Sequence, residues 1–158
     1  MDRLNRLLHG RLMLIVLALV FGCASPPPPP KPTIIQASVN VGAYVNPDSG
    51  GRASPIVIRF YELKTLAAFN AADFFSLWDK DRETLGADLV AREEFQMRPG
   101  EQKNFDRTLQ AETRHVAVIA AFRDLDRARW RGAVGVLTNQ TSPVGIRVEG
   151  RNITITGE

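Results

Sequence analysis

Cys23 is the only thiol in a chain of 158 residues, and it is the side chain with the most distinctive chemistry. With no second cysteine, an intramolecular disulfide is excluded. The other residues that could do chemistry are few. The two histidines are His9 and His115. A metal site needs three or four ligands converging on one point, and His115 opens an apolar stretch with no second histidine or cysteine near it. The run Asp79-Lys80-Asp81-Arg82-Glu83 has acids at alternate positions, as a calcium loop does, but basic residues fill the positions between them and it lacks that loop's glycine and distal glutamate. It reads as a solvated helix end. Glu93 and Glu94 are adjacent in a predicted strand, so they point to opposite faces and cannot converge as an acid–base pair. No nucleophile elbow, P-loop or dinucleotide-binding glycine pattern is present. The residues therefore assign no catalytic, metal-binding or cofactor-binding site, and the chain is expected not to be an enzyme.

The position of Cys23 supplies its chemistry. Arg3, Arg6, His9 and Arg11 form a basic opening, and Leu12 to Phe21 form an apolar run of about ten residues, the length of a secretory h-region. A stable membrane span needs about 20. Small Gly22 then precedes Cys23. This order matches a lipobox, where bacteria attach diacylglycerol to the thiol, cleave before the cysteine and acylate the new amine. Val20 and Gly22 fit that pattern; Phe21 is larger than the residue usual at its position. Residues 1–22 are expected to be a lipoprotein signal peptide, with Cys23 the lipidation site and the lipid the only attached group. Ala24 stands where an aspartate retains lipoproteins in the inner membrane, so the expected location is the periplasmic, inner-leaflet face of the outer membrane.

The elements that follow must hold a domain away from that anchor. Pro26 to Pro30, Lys31 and Pro32 favour extended polyproline II with about 3.1 Å per residue, so residues 23–32 read as a proline-rich tether. Removing the signal peptide also changes the charge. The whole chain has 20 Lys+Arg and 17 Asp+Glu; without Arg3, Arg6, Arg11 and Asp2 the remainder is 17 and 16, a net charge of +1. That balance, with no basic run interleaved with aromatics, argues against nucleic-acid binding.

Residues 33–158 read as one mainly β domain. Ile35, Ala37, Val39, Val41 and Ala43 alternate with polar residues, predicting a half-buried strand to about Asn46. Asn46-Pro47-Asp48-Ser49-Gly50-Gly51-Arg52-Ala53-Ser54 is then a long run of turn formers, longer than a hairpin needs. Such loops are more often functional than connective, and an exposed one is expected to add little to stability. Ile56 to Leu63 predicts a central strand. Ala71 to Lys80 predicts a helix capped at Asn70, with Phe74, Leu77 and Trp78 on its docking face. Short strands follow at 93–97, 102–109, 115–122, 130–137, 144–148 and 153–155. The His115–Phe122 run is apolar enough to be covered on both faces. About eight short strands with turn-rich spacing indicate a two-sheet β-sandwich. The charged segment Asp124 to Arg131 is open to two readings, a partner patch or self-contained ion pairing at a strand entry, and the second is the simpler.

Taken together these residues resemble a known family. Pro55-Ile56-Val57-Ile58-Arg59-Phe60-Tyr61-Glu62-Leu63-Lys64, the Asp73-Phe74-Phe75-Ser76-Leu77 segment, Pro99-Gly100, and Ala120-Ala121-Phe122-Arg123-Asp124 with Trp130-Arg131 are similar to the TssJ family, the outer-membrane lipoprotein of the type VI secretion system. The likeness covers essentially the whole chain after Cys23. It implies a transthyretin-like sandwich with a short added helix after the second strand. It also implies a structural role: binding the periplasmic domain of the inner-membrane component TssM, with no small-molecule substrate. Carried onto this chain, the partner-binding candidates are Asn46, Pro47, Asp48, Ser49, Gly50, Gly51, Arg52, Ala53 and Ser54. The residues alone leave open a periplasmic ligand- or glycan-binding lipoprotein, for which Trp78 and Trp130 would have to be exposed in a groove.

Overall fold

The computed structural model describes residues 28–157. The expected signal peptide, Cys23 and residues 24–27 lie outside the described residues, and 28–32 are exposed and without regular structure. Eight strands follow: β1 (Ile34–Val41), β2 (Ile56–Leu63), β3 (Leu89–Met97), β4 (Gln102–Thr108), β5 (His115–Ala120), β6 (Arg131–Gly135), β7 (Thr141–Glu149) and β8 (Asn152–Gly157). They form two four-stranded sheets, ordered β4-β1-β7-β8 and β3-β2-β5-β6. All neighbouring pairs are antiparallel except β1 with β7. The mainly β sandwich expected from the sequence is the observed fold.

Side-chain alternation explains the layers. Ile35, Ala37, Val39 and Val41 of β1 meet Ile56, Ile58 and Phe60 of β2 and Val116, Val118 and Ala120 of β5 in the core between the sheets. The opposite faces of β2 and β5 carry Tyr61, Leu63, Ala117 and Ile119. These pack against Phe69, Leu77 and Leu85 in a second core. The second sheet is therefore covered on both faces, which is why β2 and β5 are apolar nearly throughout while β1 and β7 alternate.

The helical layer differs from the expectation. In place of one helix over 71–80 there are three short ones, α1 (Ala67–Ala71), α2 (Phe74–Asp79) and α3 (Asp81–Leu85), then a 3₁₀ turn at Gly86–Asp88. Asn70 lies inside α1 and is not a cap. The cap is Asp73, in extended conformation; its carboxylate accepts from Ser76 N at 2.9 Å and Ser76 Oγ at 2.7 Å. Those bonds hold the Asp73 carboxyl below its ordinary pKa. The docking face is as expected: Phe74 and Leu77 are buried and Trp78 packs beside them.

Arg59 fastens this layer to the sheet. It is 6% exposed. Its NH1 donates to the carbonyls of Leu77 (3.1 Å) and Trp78 (2.8 Å) near the C-terminal end of α2, and Nε and NH2 grip Glu94 Oε2 at 2.9 and 2.7 Å. Its guanidinium lies 4.3 Å from the Trp78 ring centre. Asp81 sits beside it, 3.4 Å from NH1, and also pairs with Arg92. Asp81 is only 5% exposed, so the 79–83 run is not a uniformly solvated helix end: its middle acid is buried between two arginines. Tyr61, fully buried, donates its hydroxyl to Leu77 O at 3.1 Å, and burial pushes the phenol up to about 12.

Candidate functional site

Four connections meet at one end of the sandwich: 42–55, 98–101, 121–130 and the β7–β8 turn. β1 stops at Val41, short of the expected Asn46, because the chain turns there. Val45 N donates to Gly42 O at 3.3 Å, and Gly100 N reaches the same carbonyl. Ala43 is consequently exposed and Val45 buried.

Asn46 knits the loops together. Its φ is +48°, a region asparagine tolerates better than most residues. Its N–H donates to Gly150 O at 2.8 Å, its Nδ2 to Pro55 O at 2.9 Å, and its Oδ1 accepts from Arg123 N at 2.8 Å. One 4%-exposed side chain thus closes the loop on itself and ties it to the β5–β6 connection. Ser54 is also buried, and its N–H donates to Val45 O. The ends of the loop are structural, contrary to the expectation that the whole segment adds little stability. Asn46→Ala is expected to cost about 2–4 kcal/mol: it strands two polar groups and strains a positive φ. Asn46→Gly relieves the strain but still lacks the side-chain bonds, so it should fall between wild type and alanine in a denaturant melt. Equal stability of all three would remove the clamp from the account.

Between those ends the tip is self-contained. Asp48 Oδ1 accepts from Gly50 N (2.9 Å) and Arg52 N (3.0 Å), and Oδ2 pairs with Arg52 Nε (2.9 Å). Gly51 takes φ +79°, where a side chain would be strained, and donates to Asp48 O. The Arg52 backbone N–H, then its guanidinium, hold the Asp48 carboxyl below its usual range. Ser49, Gly50, Gly51 and Arg52 are exposed, Pro47, Asp48 and Ala53 partly so. The nine expected residues therefore divide into buried supports, Asn46 and Ser54, and a solvent-facing turn.

Tyr44 was not singled out in the sequence. It is 81% exposed, the most exposed large apolar residue among those described. The sequence does not mark it, because Ala43 and Val45 on either side continue the alternation of β1. Beside the tip lies a cleft of about 540 Å³ lined by Pro47, Asp48, Ser49, Arg123, Asp124, Arg127 and Arg151. The ion pairing expected within 124–131 is only partly self-contained: Asp124 Oδ2 is 3.8 Å from Arg127 Nε, and its shorter approach, 3.0 Å, is to Arg151 Nε outside the segment. Its last arginine works elsewhere, with Arg131 NH1 donating to Phe69 O and Ala72 O at the break between α1 and α2.

The remaining candidates lie apart from this end. His115 sits at the start of β5, paired in register with Leu63 and Gly135. Glu93 and Glu94 do face opposite ways, Glu94 to Arg59 and Glu93 to Arg107 of β4. Trp78 stacks on Phe74 (5.5 Å, 14°) under Arg59. Trp130 meets Phe74 edge-on at 5.3 Å, with Arg131 4.7 Å from its ring. Both rings are engaged in packing, an arrangement that does not favour a sugar-stacking platform.

A profile of the type VI secretion lipoprotein family, which takes in VasD, EvfM and TssJ, matches residues 33–151. Among solved structures, the lipoprotein TssJ1 from Pseudomonas aeruginosa is 41% identical, with 80% of this chain and 97% of that chain aligned at a TM-score of 0.78. Lip from Serratia marcescens, described as a membrane-bound component of the type VI secretion system, is 24% identical over 80% and 98% of the two chains, TM-score 0.72. A chain of a type VI membrane complex is 24% identical over 80% and 99%, TM-score 0.70. The last two likenesses are of fold. No curated protein sequence matches the chain.

Proposed function

Because this chain belongs to the type VI secretion lipoprotein family, the family of TssJ, we propose that it is a structural tie between the secretion machine and the outer membrane. A lipid on Cys23 holds the chain on the inner leaflet of that membrane, residues 24–32 space the sandwich from it, and the loop end binds the periplasmic domain of TssM. Its work is assembly, not turnover.

The observation that carries this reading is the build of the loop end. A docking surface must keep its shape before the partner arrives, because ordering a loop on binding costs free energy. Here Asn46 and Ser54 fix the ends, Asp48 fixes the tip, and a nearly bare tyrosine stands beside them. Tyrosine is over-represented among the residues that dominate binding energy. Tyr44→Ala is expected to weaken binding of the TssM periplasmic domain at least tenfold, about 1.4 kcal/mol or more, and to leave the melting temperature unchanged. Unaltered affinity would remove Tyr44 from the interface.

A further inference from the structure

The cleft beside the tip has a chemistry of its own. Three of its seven lining residues are arginines: Arg123, Arg127 and Arg151. Among the described residues, the Arg123 side chain enters no ion pair, and Arg127 has only the 3.8 Å approach to Asp124. Arg151 Nε is buried; Asp124 Oδ2 is 3.0 Å away but out of line, leaving that N–H without an aligned acceptor. The two carboxylates do not neutralise the cleft. Asp48 is consumed by the backbone N–H groups of Gly50 and Arg52 and by the Arg52 guanidinium, while Asp124 supports two arginines at once. What remains is a concave surface whose N–H forks are largely uncommitted, the geometry that takes carboxylates in pairs of parallel hydrogen bonds.

The direction of the chain narrows the occupant. β1 runs from the tether side to this end, and its eight residues span about 26 Å. The cleft thus lies a full strand length from where the sandwich joins its tether. The cleft is also continuous with the loop tip through Pro47, Asp48 and Ser49, which favours the protein docked there as its occupant.

We propose that the Arg123–Arg127–Arg151 cleft receives an acidic segment of the protein partner, with Asp or Glu side chains seated on the guanidinium groups. This rests on the reading that the loop end docks TssM, and it adds the charge by which the partner is selected. Rim charges of this kind govern association rate and salt dependence more than raw packing does.

The test uses the full-length acylated protein in detergent and the double variant Arg123→Glu with Arg127→Glu. Both side chains are exposed, so the variant should melt where the wild type does. The expected result is at least tenfold weaker binding of the TssM periplasmic domain, with a flatter dependence of affinity on salt. Equal affinity and equal salt slope in wild type and variant would overturn the acidic-segment proposal and leave the docking reading intact. If wild type itself fails to bind TssM, the docking reading falls, and a hexaglutamate peptide decides the cleft. Shifts of the arginine Nε–H resonances of Arg123, Arg127 and Arg151 on adding that peptide would support the proposal, and no shifts would overturn it. Binding of phosphatidylglycerol vesicles through the same arginines, as tight as the peptide, would also overturn it in favour of a lipid surface.

Discussion

Cys23→Ser is expected to empty the outer-membrane fraction of this protein. Anchoring energy sets this outcome. Among the described residues no helix is long and apolar enough to cross a membrane, and the apolar run before Cys23 is about half the length a stable span requires. Acyl chains contribute about 0.8 kcal/mol per buried CH₂; one chain holds a protein only marginally, whereas two or more hold it stably. The triacylated cysteine of a bacterial lipoprotein is well above that threshold. A serine hydroxyl is not the nucleophile this acylation uses, so the whole anchor goes with one sulfur atom. Membrane fractionation and intact mass read the result: wild type in the outer membrane with the added mass of the lipid, the variant absent from that fraction and without it. A Cys23→Ser chain still seated in the outer membrane would mean that something other than the lipid holds it.

The second large effect concerns Arg59. Arg59→Met keeps the length of the side chain and removes its charge and all its donors. The carbonyls of Leu77 and Trp78 lose their partner, Glu94 loses its mate, and Asp81 is left with Arg92 alone. Removing one member of a buried pair costs about 3–5 kcal/mol, because the surviving polar groups stay desolvated. For a domain of this size that corresponds to a fall in melting temperature on the order of 10–20 °C. The loss should be visible locally as well, since Arg59 lies over Trp78: the near-ultraviolet dichroism of tryptophan should weaken before the sandwich melts. A loss below about 1 kcal/mol would mean that apolar packing of Phe69, Leu77 and Leu85 holds the helical layer unaided.

These predictions also mark what the sequence makes legible. Strands β2 and β5 could be recognised because a strand covered on both faces must be apolar at nearly every position. β7 and β8 could be recognised because Gly150, at φ +56°, closes a two-residue turn between alternating runs. The helical layer was harder. Asn70 and Asp73 are both good caps, and local sequence favours neither. Arg131, some 60 residues downstream, grips Phe69 O and Ala72 O at the break, and no local signal announces that contact. Asp81 misleads for the same reason: its neighbours in sequence are charged and exposed, while its partners come from β2 and β3. The loop was legible as a place and not as a construction. Its turn-forming composition marked residues 46–54, but the same composition describes a free loop and one clamped by a buried asparagine. Tyr44 falls just outside that range because Ala43 and Val45 continue the alternation of β1 past Val41.

The central claim is that the loop end of this sandwich binds TssM. It is tested most directly by calorimetric titration of the TssM periplasmic domain into the full-length acylated protein, beside a variant in which residues 48–52 are replaced by a glycine–serine linker of equal length. The account predicts saturable binding by wild type and at least tenfold weaker binding by the variant, both melting at the same temperature because Asn46 and Ser54 are retained. No binding by a folded wild type to a folded partner would contradict the account and return the ligand-binding alternative to first place. Equal binding by the two proteins would remove the loop tip from the interface and contradict the account.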